Sequence, residues 1–191
     1  PTGVDRVTSV AVSHQDVAVA SSSRIAVLNV AKFGKPRECD VPEGALISAV
    51  AYDPLARKLL YALGTDGTLH VFNVRVPSAP EESGGREATS KLHCAHLFSE
   101  SRWRSSVAGR GGAGTGSLAA MPGYLLAVVS ERFLVWNMTT AYRSRVAEGV
   151  ELVHEGRIAD LVPATTRRST PFVRAQGRTV VFGTRRGGGA T

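Results

Sequence analysis

The chain has 191 residues, 43% of them apolar, with 23 Lys+Arg against 16 Asp+Glu and a formal net charge of +7. That is one domain's worth of sequence at roughly 100–200 residues per domain, and apolar enough to exclude wholesale disorder. The longest apolar run, Tyr124 to Val129, falls far short of the ~20 residues a membrane-crossing helix needs. Two cysteines make no disulfide framework and predict a reducing setting. No charged-then-apolar leader marks the chain for export, so a cytoplasmic location is expected, with the nucleus also open. The chain starts at Pro1, which is expected of a processed or partial protein.

The predicted elements are short strands. Val7 to Val30 (VTSVAVSHQDVAVASSSRIAVLNV) holds three apolar stretches separated by turns, and Arg37 to Val41 adds a strand-like piece. Ile47 to Val74 repeats the pattern, with Asp66-Gly67 as a two-residue hairpin turn because Asp-Gly tolerates the positive φ such turns demand. A Pro/Ser/Glu/Gly-rich loop over 77–90 follows, then a strand over Lys91 to Phe98. A second Gly-rich loop occupies 105–116 within Ser101 to Gly116, and strand order sends the two loops to opposite faces. Ser117 to Met138, with Val150 to His154, is the third copy, and Ile158 to Thr184 is the fourth, before a Gly-rich tail at 187–191. The repeats span about 4–41, 44–98, 103–154 and 154–186.

The third stretch of each copy ends alike: Val27-Leu28-Asn29, Val71-Phe72-Asn73, Val135-Trp136-Asn137 and Val181-Phe182-Gly183. The steps between the terminal residues are 44, 64 and 46. Three strands plus one connecting strand per unit make a four-stranded antiparallel blade, which buries both faces by stacking on its neighbours. Trp136-Asn137 resembles the Trp-Asp dipeptide of WD-repeat β-propellers, with Leu28-Asn29 and Phe72-Asn73 as weaker copies. The stretch from His154 to Leu161 resembles the Gly-His segment that leads into an innermost strand, which makes His154 a structural, hydrogen-bonding residue. The resemblance implies an all-β propeller of about four blades, part of a larger ring of about seven, with no closing strand at either end. It also implies a structural role for Asp66, Gly67, Trp136 and Asn137.

The candidate chemistries are few. Gly109 to Gly114 spells G-x-G-x-x-G, but a strand follows it where a nucleotide site needs a helix. His93, Cys94 and His96, with Cys39, carry metal-ligand types, but strand alternation points His93 away from the other two. Asn137-Met-Thr139 spells a glycosylation site, which matters only in a secretory compartment. No nucleophile, base and orienting acid assemble in the pattern, so neither catalysis nor a cofactor is expected.

The charge is segregated. Residues 1–100 carry 10 Lys+Arg against 11 Asp+Glu, and residues 101–191 carry 13 against 5. Within that basic half, Arg102-Trp103-Arg104, with Arg110, has the composition of an interaction hot spot. The expected function is therefore a non-catalytic scaffold that binds other proteins or subunits, the remainder of its own propeller among them. The competing expectation is an anion reader, with Arg143, Arg145, Arg167, Arg168, Arg185 and Arg186 contacting RNA or phosphoinositide head groups of an anionic lipid.

Overall fold

The computed structural model of the chain describes residues 6–31, 34–77, 92–102, 116–129, 131–144, 149–161, 169–176 and 179–186. They form three four-stranded antiparallel sheets and one two-stranded sheet. The first sheet holds β1 (Val7–Val12), β2 (Asp16–Ser21), β3 (Ile25–Asn29) and β4 (Arg37–Glu38). The second holds β5 (Ile47–Tyr52), β6 (Leu59–Gly64), β7 (Leu69–Pro77) and β8 (Leu92–Glu100). The third holds β9 (Gly116–Met121), β10 (Tyr124–Val129), β11 (Arg132–Asn137) and β12 (Glu151–Arg157), and β13 (Ser169–Gln176) pairs β14 (Thr179–Arg186) in the fourth. Two short helices, α1 (Thr139–Ser144) and α2 (Ile158–Leu161), flank β12. Each sheet is a meander, its strands adjacent in space in chain order. The first strands pack in succession, β5 on β1, β9 on β5 and β13 on β9, so they form the inner line about which the four sheets stack as blades. Among the described residues the sheets do not close into a ring.

The blades bury alternate residues on opposite seams, as a side-chain period of two requires. In blade 2 every residue of β5 and β6 is buried. Val50, Tyr52, Leu60, Ala62, Phe72 and Val74 meet blade 1 residues Ala18, Ala20, Ile25 and Val27. Their alternates Ala49, Ala51, Tyr61, Leu63 and Val71 meet Leu125, Ala127, Leu134 and Trp136 of blade 3. The third seam joins Leu126, Val128 and Phe133 to Val173, with Phe182 packed against them. Serines supply polar ties where adjacent inner strands cannot form a ladder. Ser9 Oγ accepts from Val50 N at 3.1 Å, and Ser117 Oγ donates to Val173 O at 3.1 Å and accepts from Val173 N at 3.2 Å. Phe133 lies across the pair it makes with Gly156, where an added Cβ would stand 2.5 Å from the ring.

The recurring asparagine has a local cause. The Oδ1 atoms of Asn29, Asn73 and Asn137 accept from the backbone N–H two residues on, at Ala31, Arg75 and Thr139, over 3.2, 3.1 and 3.0 Å. Each third strand is thus turned by the same Asx contact. The Asp66-Gly67 turn forms, with three loop residues where two were expected. Gly64 N donates to Thr68 O and Gly67 N to Gly64 O, with Gly67 at φ 84°. This is a tight turn followed by a left-handed residue, the usual three-residue hairpin. Asp66 Oδ1 braces it by accepting from Thr68 N at 2.9 Å.

Three expectations are corrected. Ile158 to Leu161 is a helix, and the inner strand of the fourth blade starts at Ser169. Ile158 alone of that turn is buried, beside Phe133 and Val128, and its N–H donates to Glu131 O. Val181-Phe182-Gly183 therefore lies on the second strand of its sheet, not the third. His154 does not lead into an inner strand: it is exposed in the middle of β12, the outermost strand of blade 3, opposite Val135 and with its ring 5.4 Å from Phe133.

The third correction concerns the cysteines, which are bonded to each other across the outer edges of blades 1 and 2. Cys39, just after β4, forms a parallel bridge with Cys94 of β8, and Asp40 N donates to Cys94 O. Both are buried, so a reducing setting loses the support that unpaired thiols would have lent it, since disulfides persist in oxidising ones. The bond closes a loop with a separation of 55 residues, a constraint on the unfolded chain worth about 4 kcal/mol. Replacing both cysteines with alanine should lower the thermal midpoint by roughly 10 °C. Reducing the wild type should do the same, and a midpoint unmoved by either treatment would contradict the tie.

Candidate partner-binding surface

The meander sorts the connections into two ends. The C-terminal ends of β1, β3, β5, β7, β9, β11 and β13 lie at one end of the sheets, and those of the strands between them lie at the opposite end. At the first end the inter-blade seams open into two successive notches.

The notch between blades 2 and 3 is apolar. It encloses about 290 Å³ and is lined by Leu55, Leu59, Val71, Phe98, Met138 and Ala141 among others. Leu55 stands on its rim at 66% exposure. Asp53 fixes the turn that carries Leu55: its Oδ1 accepts from Leu55 N and Ala56 N at 2.8 and 2.6 Å, and its Oδ2 accepts from Tyr61 Oη at 2.8 Å. Burial, then the Asp53 charge, raise the Tyr61 hydroxyl's pKa far above its usual value. The turn is thereby pinned to the sheet by a phenol that stays protonated.

The notch between blades 1 and 2 is polar, with a cavity of about 720 Å³. At its base lies Asp16, the first residue of β2, fully buried. Its Oδ1 accepts from Arg37 Nη2 at 2.8 Å and Asn29 Nδ2 at 3.1 Å. Its Oδ2 accepts from Arg75 Nη2 at 2.8 Å and Nε at 3.2 Å. Arg37 belongs to blade 1 and Arg75 to blade 2, so one carboxylate ties the two blades beside the disulfide. Tyr52 lies close by, its buried hydroxyl without a hydrogen-bond partner among the described residues. Burial, then the Asp16 charge, raise the Tyr52 pKa, against the opposing pull of Arg37 and Arg75.

The residues singled out in the sequence are distributed differently. Arg102 follows β8 at the opposite end, where its Nε and Nη2 bind the buried Glu100 carboxylate at 2.8 and 2.7 Å and its Nη2 also donates to Val150 O at 3.0 Å. It thus ties blade 2 to the segment before β12. Trp103, Arg104, Arg110, Arg145, Arg167 and Arg168 lie outside the described residues. Arg143 is on α1 and Arg185 and Arg186 end β14, at opposite ends of the sheets, and their side chains are outside the description. The structure does not gather these three into one patch. Trp136 is fully buried in the second seam. His96 reaches Ser99 Oγ at 2.9 Å and shares that hydroxyl with His70 at 2.8 Å. Burial lowers the pKa of both rings, most directly for His70, which is nearly enclosed. Among the described residues no cluster of His, Cys, Asp and Glu could hold a metal, and no helix is long and apolar enough to cross a membrane.

No protein-family model and no curated protein matches the sequence. Among solved structures, the computationally designed Ika4 protein aligns over 95% of this chain and 87% of its own, with a TM-score of 0.55 and 14% identity. Hsv2 of Kluyveromyces lactis aligns over 81% of this chain at TM-score 0.51 and 14% identity, and the chain spans 48% of Hsv2. The WD40 domain of Toxoplasma gondii coronin aligns over 79% of this chain and 35% of its own, at 0.49 and 14%. The fold is a β-propeller. Three of its blades are four antiparallel strands deep with the inner strand first, and the fourth shows two strands among the described residues. The arc described is unclosed: Val10 and Val12 of β1 are 56% and 70% exposed, on the side that another blade covers in a ring.

The propeller residues that pattern reading missed are Asp16, Arg37, Arg75 and Leu55. The one signal for Asp16 was a lone acid opening a strand, β2, whose next four residues are Val-Ala-Val-Ala. Replacing Tyr52 with Phe removes a buried hydroxyl that satisfies no partner and should stabilise the propeller by about 1 kcal/mol, read as a rise of a few degrees in the thermal midpoint. A fall would show that the hydroxyl is bonded.

Proposed function

We propose that this propeller is a non-catalytic scaffold that holds other proteins at the end where the two notches open, within a ring that further blades complete. The observation that carries the reading is the apolar notch between blades 2 and 3. Its walls are core strands, the turn that carries its rim residue Leu55 is held by the backbone N–H groups of Leu55 and Ala56 on the buried Asp53 carboxylate, and its lining offers a partner side chain an apolar, preformed site. The unclosed apolar side of blade 1 supports the second half of the reading, because Val10 and Val12 match the aliphatic residues that stack inside the seams. The Arg102-Trp103-Arg104 stretch after β8 is proposed as a second contact.

Affinity capture with the full chain, read by mass spectrometry, tests the proposal. Proteins retained by the wild type should be lost, roughly 10-fold or more, when Leu55→Glu places a charge on the notch rim, while the melting temperature stays put because Leu55 is exposed. Salt supplies the contrast: RNA or anionic lipid retained in place of proteins, in a manner that collapses between about 50 and 200 mM salt and is indifferent to Leu55→Glu, marks an anion reader and removes the scaffold reading. Trp103→Ala, measured in parallel, shows whether the second contact takes part.

A further inference from the structure

The polar notch between blades 1 and 2 holds more cationic hydrogen-bonding capacity than its own carboxylate uses. Arg37 reaches Asp16 through Nη2 alone, and Arg75 uses Nε and Nη2 on Asp16 and Nη2 on Gln15. The Nε and Nη1 groups of Arg37 and the Nη1 group of Arg75 have no acceptor among the described residues. The side chains are 15% and 33% exposed, so these donors are partly dehydrated and fixed in direction by the bond to Asp16. Lys35 stands on the same wall. Against the three cations stand Asp16 and Glu38, which leaves one positive charge in surplus within a half-enclosed cleft.

A surplus of one charge suits one carboxylate, and guanidinium forks bind carboxylates in pairs of parallel hydrogen bonds. The cavity is far larger than a single ion and falls within the size of a ligand cleft, roughly 300–1,000 Å³. Pro36 and Leu92 give it an apolar flank, and Gln15, whose Oε1 accepts from Arg75 Nη2, also lines it. We propose that this notch captures an Asp or Glu side chain of an extended partner peptide, held by Arg37 and Arg75, with Lys35 on the rim. The inference deepens the scaffold reading and rests on it, and it assigns to the near-neutral half of the sequence a charge-reading site that the count of arginines in the basic half does not reveal.

A random-peptide display library panned against the full, oxidised chain is the probe. Selected peptides should share an acidic position, and exchanging that residue for Gln or Asn should weaken binding about 10-fold or more. Arg75→Gln should weaken it equally. Lys35→Glu provides the variant that cannot fail by unfolding, since Lys35 is exposed and outside the Asp16 contacts: it should weaken binding several-fold at an unchanged melting temperature. Failure to select an acidic position, or selected peptides indifferent to Lys35→Glu, would overturn the proposal. A requirement for phosphoserine where Glu is expected would overturn the carboxylate assignment. Because Leu55→Glu probes the other notch, lysate partners that still depend on Leu55 while no acidic peptide binds would remove this inference and leave the scaffold reading standing.

Discussion

A blade with neighbours on both sides has no water-facing surface, and the rest of this structure follows from that constraint. The six residues of β5 and the six of β6 are all buried, so blade 2 cannot follow the apolar-in, polar-out rule of a half-exposed sheet. Its even and odd positions are both apolar and serve different seams. Every backbone or polar group trapped between blades then needs a partner, because an unsatisfied buried group costs about 1–3 kcal/mol. Ser9 and Ser117 meet that need between inner strands, and Asp16 of β2 meets it by joining Arg37 of its own blade to Arg75 of the next.

The first two seams are closed along the middle of the sheets and part at one end, so each of these two junctions leaves a notch. What fills the notch is set by few positions. Between blades 2 and 3 the residue after the terminal asparagine is Met138, and the notch is apolar. Between blades 1 and 2 the residue after Asn73 is the core residue Val74, and the charge of the notch comes one position further on, from Arg75. The same backbone arrangement therefore yields two recognition chemistries side by side, which is what a rigid repeat offers a binding protein. The Asp16 cluster at the base of the charged notch and the disulfide between the outer edges of the same two blades hold its walls together.

The sequence announced the architecture because its signals are local. The period of the strands, the Asp66-Gly67 turn and the terminal asparagines each depend on residues within a few positions of one another, and an Asx contact needs only the next two residues. The corrections involve partners far apart in the chain. Cys39 and Cys94 meet because two outer strands converge, and nothing within a few residues of either marks the other. Asp16 reads as a turn residue until Arg75 arrives from the next blade. The fourth repeat failed for a different reason: Ile158-Ala-Asp-Leu161 is as apolar as a strand, but burial of Ile158 alone beneath blade 3 suits a helical turn. The true inner strand, Ser169 to Gln176, carries Pro171 and Arg174 and hides among polar residues. Site residues were less legible than fold because arginines were weighed by number, whereas the charged notch is made by two arginines that share an acid.

Amide hydrogen exchange of the oxidised full chain tests the stacking most directly. Blades packed on both sides should open only with the whole molecule, whereas the unclosed flanks should open locally. The account predicts the slowest exchange in β5, β6, β10 and β11, and markedly faster exchange in β1 and β14. Protection in β14 equal to that in β6, or fast exchange throughout blade 2, would contradict it.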